Sequence, residues 1–271
     1  MKKFAVMIFM ILTLGIFCVN AQHVLEKKEL NSISEFMNYR MELTKLQPEQ
    51  ALEKINRDFS RELQMSEQGK LILSSLIEIE KYVYGIKINP NNQQLKNRIV
   101  ELSSRLEIKA NAMEPSTVDP WLYCVTAAMD ATSMQCLSVA KSLKRGLNVK
   151  KWYLAAIKKN PDMTYSLMNM GQWYFHAPAI SGGSKEKALD LCRKSLEKAK
   201  NPGERFYASC VLSQIYFALG NKQKSAEFLQ NAEQLAPGSL NVLLLKTLNG
   251  AGVSQFEYDA DREKYQYLLK K

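Results

Sequence analysis

The chain has 271 residues, of which 46% are hydrophobic and 24% charged, with a formal net charge of +10 and only 12 Gly and 8 Pro. That is enough apolar chain for one or two packed domains, and it excludes a collagen-like, low-complexity or largely disordered polymer. Sparse Gly and Pro, beside abundant Ala, Leu, Lys, Glu, Gln and Met, favour helix over sheet.

The N-terminus carries an address. Lys2 and Lys3 precede an uncharged apolar run from Phe4 to Phe17, and Val19-Asn20-Ala21-Gln22 follows. A basic start, an apolar core and a V-x-A exit predict a secretory signal peptide over residues 1–21, cleaved after Ala21. An uncleaved anchor would need about 20 apolar residues. A lipid-modified Cys18 would need a small residue where bulky Phe17 stands. The expected mature protein is exported to the periplasm or envelope, without a later membrane-spanning segment. Its four cysteines, Cys124, Cys136, Cys192 and Cys210, could form two disulfides or serve as small buried residues on helices. Charge is uneven: residues 22–118 balance, with 14 Lys+Arg and 14 Asp+Glu, whereas residues 119–271 carry 21 against 13. Export argues against nucleic acid as the reason; a basic face for an acidic partner, glycan or lipid headgroup and a plain solvated lysine-rich surface both fit.

Between Glu26 and Ile108 apolar residues recur at three- and four-residue steps, as in Phe36, Tyr39, Leu43 and again in Leu52, Ile55, Phe59, Leu63. This is helical periodicity. Breaks at Gln47-Pro48, Met65-Ser66 and Ile88–Asn92 divide the stretch into four antiparallel helices. A joint at Asn111–Thr117 separates an N-terminal region, 22–115, from a C-terminal region, 116–271. Asp119 then caps a helix with Pro120 in its first turn, expected to run to about Leu143. Further helices are expected over Asn148–Lys159, Asp162–Phe175, Ser184–Ala199, Gly203–Leu219, Lys222–Leu235 and Ser239–Thr247, with a last one near Asp259–Leu269. No strand is expected, so the fold class is all-α.

A repeat is legible in the C-terminal region. Thr164–Phe175 aligns with Phe206–Phe217 at an offset of 42, with Tyr, Gln, Tyr and Phe coinciding, and helix pairs end at Asn160-Pro161, Asn201-Pro202 and Ala236-Pro237. Paired helices followed by Pro describe a helical solenoid. Leu212-Ser213, Tyr216, Ser225, Leu229, Ala232 and Pro237 resemble the tetratricopeptide repeat (TPR) in residue type and spacing, with Gly220-Asn221 as the inner turn. Met170-Gly171, Tyr174, Ala188, Cys192 and Ser195 resemble the same unit with five residues inserted, and Tyr153, Ala156 and Pro161 an earlier half-unit. The resemblance covers residues 150–240 and is degenerate before them. It implies a right-handed solenoid of helical hairpins.

The insertion Phe175–Ala188 resembles an A-P-x-x-x-G-G-x-x-x-K-A loop of exported bacterial TPR proteins, including those that accompany TRAP-type transport systems. Pro178 must stop the first helix, Gly182-Gly183 permits positive φ and Ser184 caps the next helix. Glycines before a helix N-terminus beside Lys185 also fit a phosphate cradle, but the G-x-x-x-x-G-K-[ST] spacing is absent. Catalytic chemistry is thin. His23 and His176 are the two histidines, no G-x-S-x-G elbow occurs, and Glu78 and Glu80 lie on different sides of a helix. No enzyme activity, metal or cofactor is expected.

The resemblance implies a concave groove lined by the first helix of each pair: Tyr165, Met168, Gln172 and Phe175 in one repeat, and Tyr207, Cys210, Gln214 and Phe217 in the next. Such a polar-aromatic ladder suits an extended peptide or an amphipathic helix. The same residues could instead pack against the first half of the chain. The functional expectation is an exported scaffold that docks a partner protein. The alternative is a component of a periplasmic transport system that binds a small hydrophobic ligand or a substrate-binding protein.

Overall fold

A computed structural model describes residues 24–61 and 64–269. The expected signal peptide with its cleavage site, Cys18, His23 and Leu63 therefore lie outside the described residues. Within them the protein is all-α, a stack of helical hairpins: α1 Lys27–Leu43, α2 Pro48–Asp58, α3 Glu67–Ile88, α4 Gln93–Ala112, α5 Pro120–Met134, α6 Val139–Lys159, α7 Thr164–His176, α8 Lys185–Lys198, α9 Pro202–Ala218, α10 Lys222–Leu235, α11 Leu240–Gly250, α12 Gln255–Ala260 and α13 Arg262–Tyr265. The helices α5/α6, α7/α8 and α9/α10 form the three most closely packed pairs. Caps set the starts. Ser66, Asn92, Asp119, Ser184, Asn201, Asn221, Ser239 and Ser254 each accept a first-turn amide with the side chain.

Small residues draw the paired helices together as the repeat pattern implies. At Gly171 a Cβ would lie 2.4 Å from Cys192 Sγ and 2.9 Å from the Ala188 carbonyl. At the matching level of α9/α10 the hydroxyls of Ser213 and Ser225 are 3.2 Å apart. Tyr216 fills the next space: it stacks on Phe228 at 5.5 Å, and Arg193 of the preceding hairpin donates to its hydroxyl.

The last expected helix, near Asp259–Leu269, is broken at Asp261 into α12, α13 and a 3-10 turn over Gln266–Leu269. Two further expectations need correction. The helix beginning at Pro120 ends at Met134, not near Leu143, and α6 begins at Val139 with Gly146 inside it. The amides of Cys136 and Leu137 turn back to the carbonyls of Ser133 and Met134, and Ser142 Oγ donates to Met134 O at 2.8 Å. Gly146 stays helical while its carbonyl accepts the Trp173 indole N–H at 2.9 Å. The second correction concerns α1. The four N-terminal helices begin at the expected breaks, but α1 packs chiefly against α9, with α3 behind it, and meets only the end of α2, where the Phe36 and Tyr39 rings contact Phe59 and Tyr39 Oη donates to Asp58 at 3.1 Å. The joint near residue 115 is a short 3-10 turn, Pro115–Thr117, and one buried core runs across it from Leu25 to Met170.

The four cysteines Cys124, Cys136, Cys192 and Cys210 are free, and all but Cys136 are fully buried. Burial pushes the thiols of Cys124, Cys192 and Cys210 up to about 12, which keeps them protonated and poor nucleophiles.

A buried polar cluster joins α4, α5 and α6. Ser103 Oγ donates to Asp130 Oδ1 at 2.5 Å, and Arg145 donates to Ser103 and Ser133 at 2.8 Å each while standing 3.7 Å from the carboxylate. Asp130 Oδ2 is buried without a hydrogen-bond partner. Desolvation pushes the Asp130 carboxyl up to about 6, with Ser103 and Arg145 opposing it and Glu107 adding to it. The folded state thus binds this proton more tightly than the unfolded chain, whose Asp titrates near ~3.9. Stability from this group is therefore gained on acidification from about pH 6 to about pH 4 and absent above that window, a swing on the order of 2–3 kcal/mol. Melting wild type and Asp130→Asn across that range checks it: the difference should shift in favour of the wild type as the pH falls.

Candidate partner-binding groove

The inner face of the hairpin stack is formed by α5, α7 and α9, and α1 lies along it. Successive side chains of α1 meet successive parts of the stack. The amides of Val24 and Leu25 donate to Asp119 Oδ2 at the start of α5, at 2.9 and 3.3 Å. Ser34 Oγ accepts from Asn201 Nδ2, and Asn38 Oδ1 accepts from the Gly203 amide, both at 2.9 Å. Past the helix end, Thr44 O accepts from the Leu240 amide and Thr44 Oγ1 from Ser239 Oγ, both at 2.8 Å. The apolar face of α1, Ile33, Phe36, Met37, Met41 and Leu43, is buried.

Arg40 is the centre of this contact. Its Nε donates to Glu80 Oε1 at 2.6 Å, with side chains only 12% and 5% exposed. The guanidinium carbon stands 4.6 Å from the ring centroid of Tyr207 and 5.4 Å from that of Tyr165. Tyr207 Oη donates to the Arg40 carbonyl at 3.0 Å. Burial is the largest single influence and works against the charge of Arg40, but Glu80, Tyr165 and Tyr207 together outweigh it and hold the guanidinium protonated. Burial also pushes Tyr165 up to about 12 and Tyr207 well above the usual phenol range, with Arg40 opposing in each case, so both remain neutral phenols.

Most of the expected groove residues therefore fall into two covered groups. Tyr165 and Tyr207 come together under α1, where the space shared by Met37, Arg40, Tyr165, Met168 and Tyr207 measures only about 10 Å³. That is at or below what one water molecule needs. Phe175 and Gln214 are instead covered by the C-terminal segment. The Phe175 ring lies 5.2 Å from that of Phe256 on α12. Gln214 is buried, accepts from the Gln255 amide at 2.8 Å and donates to Asn249 at 3.2 Å. Cys210 is buried beside Asn241, whose Nδ2 is 3.8 Å from its sulfur. Gln172 is half-buried and donates to Asn169 of its own helix, and Phe217 is half-buried at the end of α9.

The residues missed by sequence reasoning are the ones that do the covering: Ser34, Asn38, Arg40 and Thr44, with Glu80. One signal was available. Arg40 interrupts an apolar face at helical spacing between Phe36, Met37 and Leu43, where a lone charge demands a counter-charge. Glu80 does the same on α3 between Ile77 and Tyr84, while Glu78 faces outward to Arg98 at 2.9 Å. Ser254-Gln255-Phe256-Glu257 was a legible capping box for α12.

The Pro178–Gly183 loop consumes its own amides. Ser181 and Gly183 donate to Pro178 O, Gly182 donates to Ala179 O and Ser184 donates to Tyr174 O. Gly182 has φ +88°, and a Cβ on Gly183 would collide with the Ala177 carbonyl. Lys185 Nζ donates to Phe175 O. A phosphate cradle would require those amides to point outward.

A second concavity of about 430 Å³ opens between α2, α3 and α4, lined by Leu52, Glu78, Lys81, Ile88, Asn92 and Arg98 among others. Among the described residues no group of three or more His, Cys, Asp or Glu is placed to hold a metal ion. No family model matches the chain, and no curated protein matches it. Among solved structures it is similar to a thermophilic TPR protein of Thermus thermophilus, at 15% identity and a TM-score of 0.48 over 80% of this chain and 95% of that one. It is also similar to pilF of Pseudomonas aeruginosa, at 10% identity and a TM-score of 0.34 over 81% of this chain and 97% of that one.

Proposed function

We propose that this protein is an exported, non-enzymatic scaffold whose concave face binds an amphipathic helix of a partner protein, centred on Tyr165, Met168 and Tyr207, the expected groove residues that α1 covers. Export rests on the basic and apolar run of residues 2–17 and the Val19-Asn20-Ala21 exit. The observation that carries the binding mode is α1 itself: an amphipathic helix lies in this groove, seated by apolar anchors and hydrogen-bonded along its length. A partner helix would take its place. The five buried apolar side chains of α1 are worth on the order of 10 kcal/mol, so the partner must offer a comparable apolar face and an equivalent of Arg40 for Glu80.

A reversible clamp tests this. Thr44 Oγ1 and Ser239 Oγ already touch, so Thr44→Cys with Ser239→Cys places two sulfurs within disulfide reach across α1 and α11. The oxidised protein should lose a helical partner crosslinked by the reduced protein, and recover it on reduction. Equal capture in both redox states would sink the displacement of α1.

A further inference from the structure

We infer that the outer face of α6 is a docking surface for an anionic lipid bilayer. The inner face of this helix, Val149, Trp152, Tyr153 and Ala156, is buried and anchors it to the stack. A second apolar row, Val139, Leu143, Leu147 and Leu154, points to solvent; Leu143 and Leu147 are 65% and 59% exposed. At 3.6 residues per turn these four occupy a stripe about 80° wide. Single exposed leucines need no explanation, whereas four in one row form a patch of the kind that marks an interaction site.

The charge beside that row has one sign. The helix contains seven basic residues and no acidic one. Lys144, Lys151 and Lys158 recur every seven residues along the next ~40° of the helix, bordering the leucines, and all three are exposed. Among the described residues no carboxylate stands within ion-pair distance of these three. Glu107, held by Asn148 at 2.9 Å, lies beyond the lysines, between them and the buried face of the helix. The neighbouring loop extends the surface: Lys150 leans over Trp173 at 4.6 Å and donates to Ser181 O, which sets Ile180, 97% exposed, beside the helix.

An apolar stripe flanked by lysines is the arrangement by which a helix lies in the membrane plane. The leucines enter the headgroup–acyl boundary while the lysine stems run along it and keep their ammonium groups among lipid phosphates. The row is a convex ridge, and both concavities described above lie elsewhere. A ridge needs no pre-shaped receptor when the partner is a fluid surface, which favours a bilayer over an acidic protein helix. Among the described residues no helix is long and apolar enough to cross a membrane, so the contact is peripheral.

Flotation of the processed protein, its N-terminus fixed by intact mass, tests the assignment. The probes are vesicles of phosphatidylcholine alone and vesicles mixed with phosphatidylglycerol. The protein should float with the mixed vesicles and far less with phosphatidylcholine alone. Leu143→Ser with Leu147→Ser should weaken binding to mixed vesicles about tenfold or more. Lys144→Glu with Lys151→Glu and Lys158→Glu should abolish the preference for the anionic lipid. All five positions are exposed, so circular dichroism and melting should match the wild type; a variant that melts early is replaced by Leu154→Ser or by Lys→Gln. The assignment is overturned by absent flotation with mixed vesicles, by equal binding to both vesicle types, or by a leucine variant that binds as the wild type does. Full competition by polyglutamate together with an unaffected leucine variant would instead make α6 a site for acidic chains.

Discussion

Arg40→Met is expected to lower the free energy of unfolding by about 3–5 kcal/mol, because it leaves Glu80 as a buried carboxylate without its counter-charge. The pair is nearly dry, at 12% and 5% exposure, and its single close bond is 2.6 Å. The loss is not local to one contact. Arg40 also supplies the cation over Tyr165 and Tyr207, so the same substitution removes the charge that fixes both rings. Urea unfolding of Arg40→Met, Glu80→Leu and the double variant separates the effects. Each single change should cost several kcal/mol, while the double variant should be far more stable than the sum of the two, since an apolar pair removes the stranded charge. Additive losses would mean that the two residues act independently.

Gly203→Ala carries the second large effect. A Cβ there would lie 2.2 Å from the Met37 carbonyl oxygen and 2.8 Å from the Asn38 amide, so backbone must move on one side or the other. Overpacking costs about 1–3 kcal/mol, and a shift also strains the Gly203 amide bond to Asn38 Oδ1, worth roughly 1 more. For a chain of this size the melting temperature should fall by roughly 5–15 °C. Gly220→Ala is the control: it meets nothing within 4 Å, so only its positive φ of 81° is disturbed, at about 1 kcal/mol. Limited proteolysis should cut Gly203→Ala between α1 and α2 well before it cuts the control. Equal melting of the two variants would show that α1 does not depend on this close approach.

The helices were legible where local chemistry decides them. Gln47-Pro48, Ser66, Asn92 and Asp119-Pro120 announce helix starts by capping and by proline geometry, and the structure begins α2, α3, α4 and α5 there. Gly171 and Ser213, at matching small positions of the repeat pattern, both sit where paired helices approach closely. The α5/α6 break escaped because its turn uses backbone carbonyls and Ser142, without the Gly or Pro that usually marks one, while Gly146 stood nearby as a false marker. The ladder was legible as an unusual recurrence of Tyr, Gln and Phe. That the first half of the chain might cover it was one alternative, but the covering residues were not legible, since Tyr207 meets Arg40 across 167 residues of chain. No periodicity in either segment encodes which distant face will return to it; only the lone charges of Arg40 and Glu80, on different helices, hinted that each needed the other.

A linear array of repeats folds by neighbour-to-neighbour addition and melts by fraying from its ends. The bonds from Thr44 to Ser239 and Leu240 abolish that independence, because the first helix is finished only when the last hairpins are present. The array becomes a closed loop of dependencies. The helix α1 waits as a solvated stretch of potential helix until α11 has emerged, and long-range closure of this kind slows folding while making the final transition more concerted.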